Sequence, residues 1–130
     1  MLELHHIGNL VEDIDSAVLT YRLLYGEECA SDKIFVSSQG VFVCFINTGK
    51  NVFIELVQPV DETSSVFRMR KKGISYYHLA YVTKNFETTS EYLLSCNFKV
   101  LNLFYSEAFE NKRCQFMYSP EGELIELIEN

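Results

Sequence analysis

Four residues in this sequence pair metal-ligating chemistry with matched placement: His6, Glu55, His78 and Glu126. Setting His6-Ile7-Gly8-Asn9-Leu10-Val11 over His78-Leu79-Ala80-Tyr81-Val82-Thr83 aligns two segments at an offset of 72 residues. Setting Phe53-Ile54-Glu55-Leu56-Val57-Gln58 over Leu124-Ile125-Glu126-Leu127-Ile128-Glu129 aligns two more at an offset of 71. Each half thus carries one imidazole near its start and one carboxylate near its end, which is the signature of an internal repeat. Two nitrogens and two oxygens make a mixed donor set. It leaves room for waters or a bidentate substrate in an open octahedral site, and it fits one divalent ion (Ni, Co, Zn, Mn or Mg) better than a thiolate-rich structural zinc site does.

Taken one at a time, none of the four would carry this reading. A lone histidine on a strand is most often structural, and strand glutamates are commonly solvated. Glu55 and Glu126, however, each interrupt an apolar run, so each carboxylate must reach solvent or find a positive partner. If the halves pack as related sheets, the two pairs converge between them. A divalent cation there keeps both carboxylates ionised without the cost of unpaired buried charge.

The elements that must position these residues follow from periodicity and turn chemistry. Leu4 to Val11 reads as a strand ending at Glu12-Asp13. A helix follows, in which Asp13 or Asp15 caps the first turn, Ile14, Ala17, Val18, Tyr21, Leu24 and Tyr25 recur at helical spacing, and Gly26 ends it. Strands are expected at 33–38, 41–47 and 51–58, separated by Ser-Ser-Gln-Gly and Thr-Gly-Lys-Asn turns. A short bridging helix is expected from Ser64 to Lys72, stopped by Gly73. The order then starts again, with a strand at 76–83, a helix at 86–95 and strands near 98–105, 112–118 and 123–129. The sequence therefore predicts one α+β domain over 1–130, built from repeat module 1–72 and repeat module 73–130.

Eleven Lys plus Arg against 18 Asp plus Glu give a formal charge of -7, which disfavours nucleic acid as a partner. The N-terminal stretch lacks a basic segment followed by a long apolar one, and no apolar run reaches bilayer length, so a soluble, cytoplasmic protein is expected. Cys29, Cys44, Cys96 and Cys114 are scattered, with no Cys-x-x-Cys pair, and are expected as free thiols, Cys44 and Cys114 as small core hydrophobes. Arg68, Arg70, Lys71 and Lys72 can attract an anionic substrate, yet cations in a last helical turn already complement the helix dipole.

His5-His6-Ile7-Gly8 with Val11-x-Asp13-Ile14-Asp15, Phe53-Ile54-Glu55-Leu56-Val57-Gln58-Pro59, Tyr77-His78-Leu79-Ala80-Tyr81 and Gly122-Glu123-Leu124-Ile125-Glu126-Leu127 together resemble the vicinal oxygen chelate superfamily. The resemblance spans essentially the whole chain and points to the branch of glyoxalase I and methylmalonyl-CoA epimerase. It implies two tandem βαβββ modules forming an open, cupped β-sheet around a metal held by His6, Glu55, His78 and Glu126. It also implies movement of a proton alpha to a carbonyl through an enediolate, with Glu126 as the first choice of base and Glu55 the second.

Glu55 favours a glyoxalase-like isomerase acting on a 2-oxo-aldehyde thiol adduct, because epimerases often place Gln there. The alternative is a methylmalonyl-CoA epimerase-like enzyme acting on an acyl thioester. Epimerases of this type carry a catalytic carboxylate where this chain has Val43, after the Gln39-Gly40 turn. A non-catalytic small-molecule binder is a third reading, ranked lower because all four ligands persist. A homodimer is possible, with the site within one chain or between two. His5 is expected to face outward or to support His6 from behind. Tyr77, Tyr81, Phe116 and Met117 are expected in the core or along the cleft.

Overall fold

The computed structural model describes residues 2–130. In chain order the elements are β1 (Glu3–Leu10), α1 (Ile14–Tyr25), β2 (Ile34–Val36), β3 (Val41–Asn47), β4 (Phe53–Pro59), α2 (Phe67–Lys71), β5 (Tyr76–Thr83), α3 (Phe86–Ser95), β6 (Lys99–Ser106), β7 (Lys112–Tyr118) and β8 (Leu124–Glu129), with a 3-10 turn at Glu107–Phe109. Strand, helix, three strands occurs twice, as the repeat implies. All eight strands join one sheet in the order β2-β3-β4-β1-β5-β8-β7-β6, curled into a half-barrel.

The halves meet at the antiparallel β1–β5 pair, and on either side the first strand of a module lies parallel to its last, β1 with β4 and β5 with β8. That pairing brings the histidine strands and the glutamate strands to the centre of the sheet. Gly8 is opposite both Glu55 on β4 and His78 on β5, and Ala80 is opposite Glu126 on β8. At two places the β1–β5 register slips. Leu4 and His6 pair with the consecutive residues Tyr81 and Ala80, while Gly8 and Asn9 pair with His78 and Tyr76. His5 and Tyr77 are the extra residues, and each immediately precedes a candidate ligand.

Local chemistry explains the elements. Asp13 caps α1 by accepting from the Ser16 amide at 3.0 Å, and Gln58 Oε1 accepts from the Ile14 amide at 2.9 Å, which ties the helix start to β4. Gly26 ends the helix at a φ of 98°, a conformation that favours glycine. One face of α1, Ile14, Val18 and Tyr21, packs on Cys44, Ile46, Ile54 and Leu56. Ile46 and Leu56 are fully buried, each contributing about 1.5–3 kcal/mol. Leu93 of α3 packs likewise on Met117 and Ile125.

The opposite face of the sheet carries two further apolar clusters, Leu10, Val36, Val41, Val43, Val57 and Val66 in one, and Ala80, Phe104, Cys114, Phe116 and Ile128 in the other. The bridging helix is shorter than expected. Residues 61–66 are held in turns instead, where the Asp61 carboxylate accepts from the Thr63 amide and the Ser64 hydroxyl donates to the Gln39 carbonyl. Among the described residues, no helix is long and apolar enough to cross a membrane.

Candidate metal centre

His6, Glu55, His78 and Glu126 converge within a single chain. One donor atom from each lies within 4.8 Å of all the others. His6 Nε2 is 3.0 Å from His78 Nε2, 3.4 Å from Glu55 Oε1 and 3.2 Å from Glu126 Oε1. His78 Nε2 is 3.7 Å from Glu55 Oε1 and 3.3 Å from Glu126 Oε1. All four residues are buried.

This geometry fits a cation better than it fits protons. His6 Nε2 carries at most one hydrogen, yet it faces a second ring nitrogen and two carboxylates. One ion at the centre satisfies all four donors, and separations of 3.0–3.7 Å suit neighbours on one ion with bonds of about 2.1 Å. Among the described residues no Lys or Arg pairs with Glu55 or Glu126, whose two negative charges call for two positive ones. In the absence of an ion the His6 imidazole supplies one of them. Burial by itself would lower the His6 pKa, but the Glu55 charge and hydrogen bonding with Glu126 and Glu55 outweigh it and push it up to about 10. Burial likewise opposes the charge on Glu126, and hydrogen bonds from His6 and His78 overcome it, holding the carboxyl well below its ordinary range.

The surroundings orient the donors. His5 Nδ1 and His6 Nδ1 are 2.9 Å apart, in hydrogen-bond contact. Phe45 and Phe109 pack against both imidazoles, the Phe109 ring lying nearly parallel to that of His6. Of the two expectations for His5, support of His6 is therefore the one seen, and the cause is the slipped register, which breaks the alternation of adjacent strand residues. Gly8 is a second positioning residue, and this one sequence reasoning passed over. A Cβ there would lie 2.2 Å from His78 Cε1, so the absent side chain is the space the imidazole occupies. The glycine in His-Ile-Gly was a legible signal of close approach.

Beside Glu55 and Glu126 lies a cavity of about 30 Å³, walled by valines, Phe104 and Phe116 and reached by Gln39, Tyr77 and Ser106, large enough for about one water-sized group. Gln39, Val66, Tyr77 and Phe116 also line an adjoining cavity of about 410 Å³, within the range of small-molecule sites. Tyr77 and Phe116 thus border the cleft as one expectation had it. Met117 is fully buried in the cluster with Leu93 and Ile125, and Tyr81 packs against that cluster. Burial, then the Glu55 and Glu126 charges, keep the Tyr77 phenol protonated far above its ordinary range, so it is available as a donor.

Cys29, Cys44 and Cys114 are buried and all four cysteines are free. Burial, reinforced by Glu126, keeps the Cys114 thiol protonated, which withholds a thiolate from the centre. Arg70 faces Glu12 at 3.9 Å, so one of the α2 cations has an acidic neighbour already.

Comparison with known proteins agrees with this fold. The family model described as Glyoxalase/Bleomycin resistance protein/Dioxygenase superfamily matches residues 5–129. No curated protein matches the chain. Among solved structures, methylmalonyl-CoA epimerase from Mycobacterium tuberculosis is similar at 26% identity and a TM-score of 0.84, over 97% of this chain and 86% of that one. The Streptomyces coelicolor methylmalonyl-CoA epimerase in complex with 2-nitronate-propionyl-CoA is 24% identical over 98% of this chain and 96% of that one, with a TM-score of 0.81. The hypothetical protein BH1468 from Bacillus halodurans C-125 shares the fold at a TM-score of 0.80 and 24% identity, over 99% of this chain and 94% of that one.

Proposed function

This chain belongs to the Glyoxalase/Bleomycin resistance protein/Dioxygenase superfamily, and from that premise we propose that it is a divalent-metal-dependent enzyme moving a proton on the carbon next to a thioester carbonyl. The observation that carries the reading is the meeting of four buried donors from two half-molecules beside an apolar cavity. In this reading His6, Glu55, His78 and Glu126 hold the cation. A bound divalent ion supplies Lewis-acid polarisation of the substrate carbonyl and so acidifies the adjacent carbon.

The protein's own groups do the rest. Glu126 is the first choice of base and Glu55 the second, since both border the small cavity that adjoins the larger cleft, from which a carboxylate can take a proton from a substrate's acidic carbon. The neutral Tyr77 phenol reaches the same space and can donate a hydrogen bond to a substrate oxygen. Walls built from Val36, Val41, Val43, Val57 and Phe104 keep bulk water from the reacting carbon.

The likeness to the Mycobacterium tuberculosis epimerase supports an acyl thioester as substrate class, so the epimerase alternative fits better than the glyoxalase-like isomerase favoured on Glu55 alone. One observation keeps the isomerase as a second reading. Val43 is almost fully buried in the cavity wall, where the family resemblance places an epimerase carboxylate, and transfer to a neighbouring carbon needs only one base.

The test is deuterium exchange in D2O by the metal-loaded protein, offered 2-methyl acyl thioesters and 2-oxo-aldehyde thiol adducts. Exchange with inversion at the 2-methyl carbon supports the epimerase, and conversion of an adduct into a 2-hydroxy thioester supports the isomerase. Bound metal without exchange on any substrate would leave a binding protein.

A further inference from the structure

We infer that His5 is a positioning residue whose Nδ1 accepts the hydrogen bond of His6 Nδ1–H, fixing His6 in the tautomer that turns its Nε2 lone pair toward the cation. This rests on the proposed metal centre.

The argument begins with the strand. In a regular β1 the residue before His6 would point to the other face of the sheet. The slipped register between Leu4 and His6 removes that alternation, and the two Nδ1 atoms come to 2.9 Å. The same slip occurs before His78, where the extra residue is Tyr77, so the two halves share a backbone device and fill it with different side chains. His78 Nδ1 is buried and has no hydrogen-bond partner among the described residues, whereas His6 Nδ1 has His5. The centre is therefore symmetric in its donors and asymmetric in what steadies them.

His5 is itself held in place. Its ring centroid lies 5.8 Å from Phe45, 5.2 Å from Phe53 and 5.3 Å from Phe109. Phe45 and Phe53 come from β3 and β4 and Phe109 from the 3-10 turn of the second half, so both modules clamp the ring. A metal-bound imidazole is oriented by whatever its outer nitrogen bonds to, and loss of that partner commonly weakens metal binding by about 10–100-fold. A neutral imidazole has one nitrogen with a hydrogen and one without. For His6 to offer Nε2, its Nδ1 must carry the hydrogen, and His5 must then accept with a bare Nδ1 and keep its hydrogen on Nε2.

The experiment has two arms on the full chain. In the ¹⁵N-labelled, Zn(II)-loaded protein, nitrogen–proton correlation spectra are expected to show His6 protonated at Nδ1 and His5 protonated at Nε2. His5 protonated at Nδ1 would overturn the inference without any substitution. In the second arm Co(II) titrations compare the wild type with His5→Phe, which keeps a ring without an acceptor, and His5→Asn, whose side-chain oxygen can take the place of Nδ1. The expected result is a loss of about tenfold or more for His5→Phe and recovery of most of it by His5→Asn. Equal Co(II) affinity in the wild type and His5→Phe would overturn the role of His5 and leave the metal centre standing. A wild type that takes up neither ion would overturn the centre and this role with it.

Discussion

The Nε2 atoms of His6 and His78 lie 3.0 Å apart across the β1–β5 seam, although the residues are 72 positions apart in the chain. Among the described residues no lysine or arginine pairs with Glu55 or Glu126, so the charge of the cluster depends on what the four donors share between them.

Metal analysis of the purified, metal-exposed protein is expected to find about one divalent ion per chain, because the whole donor set lies within one subunit. His6→Ala and Glu126→Gln should each weaken binding by more than about 100-fold, beyond the effect of losing an outer partner. Calorimetric titration measures this. Unchanged affinity in His6→Ala would end the case for the centre.

The metal-free protein should have a characteristic stability profile with pH. The His6 pKa is raised from 6.5 to about 10 on folding, so its stabilising contribution is complete below pH 6.5 and is lost as pH rises through about 10. The Glu126 pKa is lowered from 4.5, so its contribution is complete above pH 4.5 and is lost in strong acid. Metal-free stability should therefore be highest between about pH 4.5 and 6.5 and fall toward pH 10. A bound ion excludes the His6 proton, so the rise in Tm on adding Zn(II) should grow with pH over that upper range. A Tm increment that stays constant from pH 6.5 to 9 would contradict this.

Gly8→Ala tests how His78 is seated. The new methyl would meet Cε1, Nδ1 and Nε2 of the buried ring at 2.2, 2.3 and 2.9 Å, and a buried ring has little room to move away. Destabilisation of about 1–3 kcal/mol is expected from this overpacking, together with loss of metal affinity, read by chemical denaturation and calorimetry. Wild-type affinity in a folded Gly8→Ala protein would show that His78 is not a ligand.

Val43→Glu tests the choice between the two reactions. It places a third carboxylate in the cavity that Glu55 and Glu126 border, at a stability cost of a few kcal/mol for a buried acid among like charges. If the protein inverts 2-methyl acyl thioesters and is limited by its second base, the ratio of inversion to deuterium exchange should rise about tenfold or more, within the range of general-base effects. An unchanged ratio in a folded, metal-loaded variant would favour the one-base isomerase.

Much of this was legible in the sequence. The strands 41–47, 76–83 and 112–118 and the helix 86–95 stand where periodicity puts them, because alternating and helical patterns are set by local burial. The four donors were legible because duplication writes the same residue twice, and the two copies vouch for each other. The 3-10 turn at Glu107–Phe109 was not foreseen, since a three-residue turn has no period to detect. Its Phe109 nevertheless packs on both His5 and His6.

By itself, then, the chain's order of residues determined which side chains could bind a cation and which strands would carry them. Only the tertiary structure decided that the four meet inside one subunit, that His5 turns to His6, and that Gly8 leaves room for His78. The physical reason is that these depend on the pairing register of β1 with β5, strands about seventy residues apart. A slip of one position there reverses the side of the sheet a residue faces, and no local pattern of residues encodes it.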